Sequence, residues 1–469
     1  MASTLPRQVD VLVIGNGPSA LLLSYILHGH IPVYDLSNPH PDPILHEKLR
    51  RTRDLLDLNV DEVTQHFPAS RFPYSTQALP VNVLYDTLIR PYGETEDNKT
   101  CVKWTWDPAR AVTHIVVGDA AQPGGQWVDN PVQVSCSIGT LSYARMLSLP
   151  GYIFDTFHRE AFGHDLPFAS RPTRKDVADY LARYAEKVGI ADSIVNGVYL
   201  SGIRRDGSGF YISSHNIRCK QIVLASGIFR ALNPPPPLLQ PLTVLPSSPK
   251  VLTDGYLLVV GSGFTAADII ISTHARQKIL HVFKWDPNRP SPLRGCHPDA
   301  YPEYAGVYKR MKVAALSLQP PLDAKPRYRS RRRMSIFDKS REWDAQYEGL
   351  PNTEIIGVDL ADSSSQALVR LRTHQGEILE RSVSGFAYVA GRHGILDFLD
   401  QDLLDEMRLQ HGQPVSSHTF GDAAQQGLEV AKQVFITGSL TGDSLIRFSY
   451  GSCCSIAGSL LKDTSGQTG

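Results

Sequence analysis

The chain carries no excess of either charge: Lys plus Arg and Asp plus Glu each total 47, and the formal net charge is zero. That balance removes the bulk electrostatic argument for nucleic acid or an anionic membrane as a partner. Long apolar runs are missing too, so no membrane span is expected. Only eight residues precede the first apolar strand, which is short for a secretory leader, and a cytoplasmic location is the expectation. Cysteine is scarce, the six being Cys101, Cys136, Cys219, Cys296, Cys453 and Cys454. None stands in a C-x-x-C or C-x4-C pair, which argues against a dithiol redox centre and against a zinc site, so no metal is expected. Cys453 and Cys454 are adjacent, a spacing at which a disulfide is strained, and they read as small buried residues at a helix start. Asn98-Lys99-Thr100 matches a glycosylation sequon that should carry no sugar without a secretory route.

What is present is a chain of 469 residues, 42% hydrophobic and 9% aromatic, which is the composition of an ordinary globular protein and length enough for two or three domains. Two glycine-rich turns of one design recur in it. Gly15-Asn16-Gly17-Pro18-Ser19-Ala20 follows the apolar run from Val9 to Ile14, and Gly261-Ser262-Gly263-Phe264-Thr265-Ala266 follows the run from Tyr256 to Val260. In each, the run reads as a buried parallel strand, the first Gly permits the sharp turn and the second lets a pyrophosphate approach the backbone. The third small residue, Ala20 or Ala266, lets helix and strand pack closely. The helix that follows offers its N-terminal amides and dipole to phosphate. One such turn is a weak signal; two in the same context suggest two nucleotides.

Ile31-Pro32-Val33-Tyr34-Asp35 reads as the second strand, and Asp35 lies twenty residues beyond Gly15. An acid there either accepts hydrogen bonds from an adenosine ribose or serves as a turn residue before Ser37-Asn38-Pro39. Residues 38–110 look like an insertion. His114 to Gly118 is another buried strand, followed by Gly124-Gly125-Gln126-Trp127, where two glycines suit a backbone pressed against a flat ring. Val177, Tyr180, Leu181, Tyr184 and Val188 form the apolar face of a helix and belong to the core. In the second half, Ile279 to Phe283 is the strand after the second turn, and Lys284 follows it. A cation there suits the 2'-phosphate of NADP where an acid would suit NAD, unless Lys284 is simply solvated. Arg289 and Arg294 adjoin it. The basic run of Arg327, Arg329, Arg331, Arg332 and Arg333 reads as a solvated loop. Gly385 to Gly391 resembles a strand crossing back to the first domain. After the strand Val434 to Gly438, Gly442-Asp443 sits on the loop at the edge where ligands of open α/β sheets bind. Arg447, just beyond, either reaches that ligand or forms a surface ion pair.

Together these residues resemble the two-dinucleotide flavoproteins of the flavin-containing mono-oxygenase branch, and within it the oxidative-stress-induced growth inhibitor family. The resemblance rests on both Gly turns, Pro123 to Trp127, His281 to Lys284, Tyr301-Pro302-Glu303-Tyr304 with Val307-Tyr308, and Gly442-Asp443 with Arg447-Phe448. It implies an α/β fold of two Rossmann-like dinucleotide-binding domains, the FAD domain (1–235 and 385–469) discontinuous and interrupted by the NADP domain (236–384). It further implies FAD on the first turn, with Gly124 to Trp127 near the flavin and Asp443 at its ribityl or pyrophosphate region, and NADPH on the second. The activity implied is a mono-oxygenase: NADPH reduces the flavin, O2 adds at its C4a, and the peroxyflavin passes one oxygen atom to a small organic substrate. No side-chain nucleophile is required, and no catalytic residue is assigned. The alternatives are an NADPH oxidase or reductase without oxygenation and a flavin-binding regulatory protein. The chain departs from the branch in two places. Residues 229–250 hold no His or Gly, so the F-x-G-x-x-x-H stretch is absent, and Val134-Ser135-Cys136-Ser137 lacks the basic residue of ornithine or lysine N-hydroxylases.

Overall fold

The structure is a computed structural model, and it describes residues 5–93, 99–130, 132, 137–247, 254–317, 342–361 and 365–465. The basic run 327–333, Asn98 of the sequon and Cys136 lie outside them. The chain divides into two compact units, one of Met1–Asn130, Gly139–Ala231 and His393–Gly469, the other of Pro131–Ile138 and Leu232–Arg392.

The first unit opens with β1 (Gln8–Ile14) and α1 (Pro18–Leu27). β1 is apolar and buried without interruption from Val11 to Ile14, because that half of the strand is covered on both faces, as a central parallel strand must be. Next come β2 (His30–Tyr34), α2 (Pro80–Ile89), β3 (Val102–Trp106) and β4 (His114–Val117). β1 pairs in parallel with β4, Val11 opposite His114. β2 does not join that sheet; it pairs antiparallel with β3 in a separate two-stranded ribbon, and its other edge meets the chain only at a bridge from Val33 to Asp54, where the Tyr34 N–H donates to the Arg53 carbonyl at 2.8 Å. Pro32 limits that second edge: it has no N–H to donate there, so pairing beyond the bridge is interrupted, as suits a strand at an edge. The ribbon is held by ring contacts instead, with Tyr25 stacked on His30 at 3.9 Å and edge-on to Trp104 at 5.5 Å. The insertion read as 38–110 thus begins earlier in the fold and takes β2 with it.

Helix α3 (Arg174–Lys187) starts on a reciprocal cap between Thr173 and Asp176 and buries Val177, Tyr180, Leu181 and Tyr184, the stripe read as core. The sheet then adds β5 (Ile194–Val195), β6 (Ile203–Asp206), β7 (Gly209–Ile212) and β8 (Ile217–Leu224).

In the second unit β9 (Tyr256–Val260) and α4 (Phe264–Ser272) repeat the strand–turn–helix that opens the chain, and here the next strand, β10 (Ile279–Phe283), does pair in parallel with the first. They are followed by α5 (Pro302–Ser317), β11 (Tyr347–Pro351), β12 (Glu354–Leu360), β13 (Ala367–Arg372) and β14 (Ile378–Tyr388). Among the described residues these strands form a six-stranded sheet in the order β11-β10-β9-β14-β13-β12. Residues 385–388, read as crossing back to the first domain, instead complete β14 and pair in parallel with β9, Leu257 opposite Gly385. The apolar register of that segment is satisfied inside this sheet, where Phe386 joins a core with Leu258, Leu280 and Val369.

The chain returns to the first unit with β15 (Glu429–Ala431), β16 (Val434–Ile436) and α6 (Ser449–Ser465). The described strands of this sheet number eight, ordered β15-β16-β8-β1-β4-β5 with β6 and β7 attached through β8. α6 packs on α1 and α2. Cys453 and Cys454 are fully buried in it with free thiols, as small core residues. No described helix is long and apolar enough to cross a membrane.

The closeness of α6 to α2 depends on Gly451, where an added Cβ would lie 2.3 Å from the Val81 carbonyl oxygen. Backbone cannot yield as a side-chain tip does, so Gly451→Ala should cost about 3 kcal/mol, read as a lower urea midpoint.

Candidate functional site

The first glycine turn is specified by contacts that only glycine permits. Gly15 has φ +111°, and a Cβ on it would meet the Ala225 carbonyl oxygen at 2.4 Å. Gly17 differs in kind, because a Cβ there would meet nothing within 4 Å. It faces open space. Gly17 is also the N-cap of α1, with Pro18 at the first helical position and no side chain capping the free amides. Orphan amides beside an open glycine suit a phosphate anion.

Between the two glycines, Asn16 is buried, and its side-chain amide donates toward the carbonyl oxygens of Ala120 (3.0 Å) and Gln122 (3.2 Å) and the Asn196 Oδ1 (2.8 Å). Its own carbonyl accepts from the Gly124 N–H at 2.8 Å. The turn after β1 is thereby tied to the loop after β4. Gly118 leaves the room for this, since a Cβ there would lie 2.3 Å from the Asn16 side chain.

These segments and the loop after β16 enclose a cavity of about 300 Å³ in the first unit. It collects Gly15, Gly17, Pro18, Ser19, Gly125, Gln126, Trp127 and Asp443 from the residues expected at the site. Ala20 is buried behind it in α1, where it packs helix on strand. Gly124, at φ +129°, and Gly442, at φ +99°, shape the adjoining turns. Asp443 Oδ2 accepts from the Leu79 N–H (2.9 Å) and from Asn82 Nδ2 (2.6 Å). Burial raises its pKa, against those two hydrogen bonds. Ser226 is among the residues around the cavity, and its hydroxyl is buried without a hydrogen-bond partner.

Asp35 does not line this cavity. Its carboxylate is closed by the Ser37 N–H (3.0 Å), the Ser37 hydroxyl (2.6 Å), Asn38 Nδ2 (2.7 Å) and Lys103 Nζ (2.7 Å). Burial works to raise its pKa, but those bonds hold it well below the usual carboxylate range. It is the turn residue, on a strand that left the sheet. The acid after the strand that does neighbour β1 is Asp119, which lines the cavity and takes an ion pair from Arg230 at 2.8 Å. Arg230 also reaches Asp129 at 3.2 Å. The sequence carried the signal: the run His114 to Val117 has no proline and leads directly to Gly124-Gly125, whereas Ile31 to Tyr34 contains Pro32. Arg447 turns away from the cavity. Its guanidinium pairs with the buried Asp86, Nε at 3.0 Å from Oδ2, and its Nη1 touches Met146 Sδ at 3.3 Å. It joins an interior ion-pair network with Arg90, not a surface pair.

In the second unit Gly261 has φ +148° and would place a Cβ 2.6 Å from the Val389 carbonyl oxygen, while Gly263, the N-cap of α4, again faces open space with no side-chain cap. Phe264 and Thr265 start the helix, and Ala266 is buried against the sheet. Phe264 packs edge-on to Tyr304 at 5.3 Å, and the Tyr304 hydroxyl donates to Asp268 at 2.8 Å. The Tyr301–Tyr308 segment thus braces α4. Lys284 is exposed after β10, with Arg289 and Arg294 exposed in the loop beyond. The turn is pinned from outside by Ser291, whose hydroxyl donates to the Ser262 carbonyl at 2.6 Å. From within, His281 Nε2 meets the Gly261 carbonyl at 2.7 Å and its Nδ1 meets the Tyr347 hydroxyl at 2.8 Å.

This fold, with two Rossmann-type units each opening on a glycine turn and the first resumed after the second, is that of the two-dinucleotide flavoproteins. Among solved structures it resembles a bacillithiol disulfide reductase from Staphylococcus aureus, at TM-score 0.53 and 11% identity over 97% of this chain and 99% of that one. It also resembles a flavin monooxygenase from Stenotrophomonas maltophilia, at TM-score 0.50 and 12% identity over 98% and 99%. The chain's curated homologues are oxidative stress-induced growth inhibitors. Inhibitor 1 of Mus musculus is 26% identical, covering 98% of this chain and 97% of its own length. A Caenorhabditis elegans homologue is 25% identical over 97% and 94%. No family model matches.

Burial lowers the His281 pKa from 6.5 to about 4, although its bond to Gly261 works the other way. The unfolded chain therefore takes up a proton that the folded chain refuses between those values, and stability falls as pH drops from about 6.5 to about 4. The advantage of the wild type over His281→Gln in urea unfolding should accordingly shrink by about 3 kcal/mol across that window and stay level below it.

Proposed function

We propose that the protein is a flavoprotein oxidoreductase holding FAD in the first unit and NADPH in the second, and that it acts as a mono-oxygenase on a small organic substrate. The observation that carries the reading is the first cavity, which brings an uncapped helix N-terminus, an open glycine, an acid after the neighbouring strand and the Gly125–Trp127 turn to one place. The α1 amides and Gly17 would take the FAD pyrophosphate, and Asp119 its adenosine ribose. Gly125 to Trp127 would lie along the flavin. Asp443, held by Leu79 and Asn82, would turn its second oxygen to the ribityl chain. Bound flavin would supply the redox chemistry with NADPH and O2; the protein orients the rings and excludes water. On the second unit Gly261, Gly263, Phe264, Thr265 and Ala266 would cradle the NADPH pyrophosphate and Lys284 its 2'-phosphate.

Thiol chemistry of the kind named for the bacillithiol reductase finds little support here. Burial raises the thiol pKa to about 12 at Cys101, Cys219 and Cys453. A thiolate is the reactive form, and these residues withhold it. A second reading, electron delivery to O2 without oxygenation, is favoured by the connector before β9, where a proline-rich turn of 3-10 helix over Pro237–Val244 stands in place of F-x-G-x-x-x-H.

Anaerobic NADPH should bleach the bound flavin, and readmitted O2 should give one oxygenated product per NADPH. Peroxide equal to NADPH would establish the second reading, and firmly bound flavin that NADPH does not reduce would establish a regulatory protein. Asp119→Ala should raise the FAD dissociation constant about tenfold or more, while Asp35→Asn leaves it unchanged, measured by flavin fluorescence. Lys284→Glu should raise the KM for NADPH about tenfold or more and leave that for NADH nearly unaltered.

A further inference from the structure

The first unit contains a second cavity, of about 360 Å³, that shares no lining residue with the first. Its volume falls within the ~300–1,000 Å³ of small-molecule sites. The insertion supplies one wall through Ile89, Val102 and Trp104; Met146, Leu149 and Tyr450 supply another. At the rim stand Ile153 and Phe168, 48% and 49% exposed although large and apolar.

The charges around this apolar space are unequal. Among the described residues they are three cations, Arg90, Lys99 and Arg145, against one acid, Asp155. Asp155 offsets them little: its Oδ1 is enclosed, and its Oδ2 meets Arg145 Nε at 3.4 Å, where charge-assisted pairs close to ~2.7–2.9 Å. The Arg145 guanidinium is therefore steered without being saturated. Its Nε faces Asp155 and its Nη1 is enclosed, so the open end of a side chain that is 36% exposed is Nη2, which makes no hydrogen bond to a described residue. The guanidinium carbon lies 6.0 Å from the centre of the Phe168 ring, beside the rim. Tyr143, half-buried in the same lining, brings a hydroxyl that likewise makes no hydrogen bond to a described residue. Arg90 stands 6.0 Å from the Tyr450 ring and shares the Asp86 carboxylate with Arg447, one acid serving two guanidiniums. A carboxylate fits these groups: it accepts from Arg145 and Tyr143, and its charge answers the cations. An ammonium would meet like charge, and a neutral amide would bring no charge and find Asp155 Oδ1 closed to its N–H.

We propose that this cavity is a binding site for an apolar molecule with a carboxylate head, independent of the dinucleotide cavity, the head at Arg145 and the chain among the apolar walls. Calorimetric titration of the purified full-length protein with octanoate should give saturable one-to-one binding, about tenfold tighter than octanamide, with octylamine weaker than either. Raising NaCl from about 0.05 to about 0.5 M should weaken octanoate and leave octanamide nearly unchanged, because screening acts on the charge alone. Arg145→Gln should bring octanoate down to the level of octanamide. Phe168→Ser, on a half-exposed rim residue whose loss the core tolerates, should weaken both. The proposal is overturned if octanoate shows no saturable binding, if octanamide or octylamine binds as tightly, or if octanoate affinity is unchanged in Phe168→Ser or in an Arg145→Gln variant whose circular dichroism spectrum is that of the wild type. Should Arg145→Gln not fold, octanoate affinity that is indifferent to salt overturns it instead. None of these measurements depends on flavin being bound.

Discussion

The first unit turns on one buried amide. Asn16 stands between the two glycines of the opening turn and reaches the loop after β4 and the side chain of Asn196, residues 104 to 180 positions away. A buried amide with its hydrogens unpaired is costly, so the turn and the loop hold each other in place. Once they are joined, Gly124 can donate to the Asn16 carbonyl, Gly125 lies against Gly17 with only 3.0 Å to spare for a Cβ, and the cavity has its back wall. The open face of Gly17 is the complement of that locked face. Every contact the turn makes on one side leaves its backbone free on the other.

The second unit solves the same problem with different side chains. Its turn has Ser262 where the first has Asn16, and serine is too short to reach a neighbouring loop. The pinning comes instead from His281 on the adjacent strand, from below, and from Ser291, from outside. His281 must remain neutral to sit there, because a charged imidazole with no counter-ion in a sheet interior would be strongly disfavoured. Two turns of one design thus rest on unrelated supports, and the recurrence lies in the backbone, not in the residues around it.

Sheet membership decides which acid sits beside which turn. Counting along the chain places Asp35 twenty residues from Gly15, a spacing that holds only when the next strand in sequence is the next strand in the sheet. Pro32 breaks that equivalence. The strand that carries it, interrupted at the proline on one edge, lies in a ribbon with Val102–Trp106, and the position beside β1 is held by His114–Val117, with Asp119 after it. The proline was visible beforehand; that its strand had a competitor for the place was not, since both runs are apolar and β-branched. The same limit applies to Arg447, whose partner Asp86 lies 361 residues away.

The sequence by itself determined the local devices: two strand–glycine–helix turns, the small residues behind them, the Gly124–Trp127 turn and the buried cysteines of α6. Each follows from backbone conformation and burial within a few residues, which short-range chemistry specifies. Tertiary structure alone decided what long-range pairing controls: that β4 and not β2 flanks β1, that residues 385–388 complete the second sheet, and that Asp443 is held by Asn82. Those outcomes depend on which of several compatible segments win a shared neighbour, a competition settled across hundreds of residues by the burial of polar groups and the geometry of the sheet.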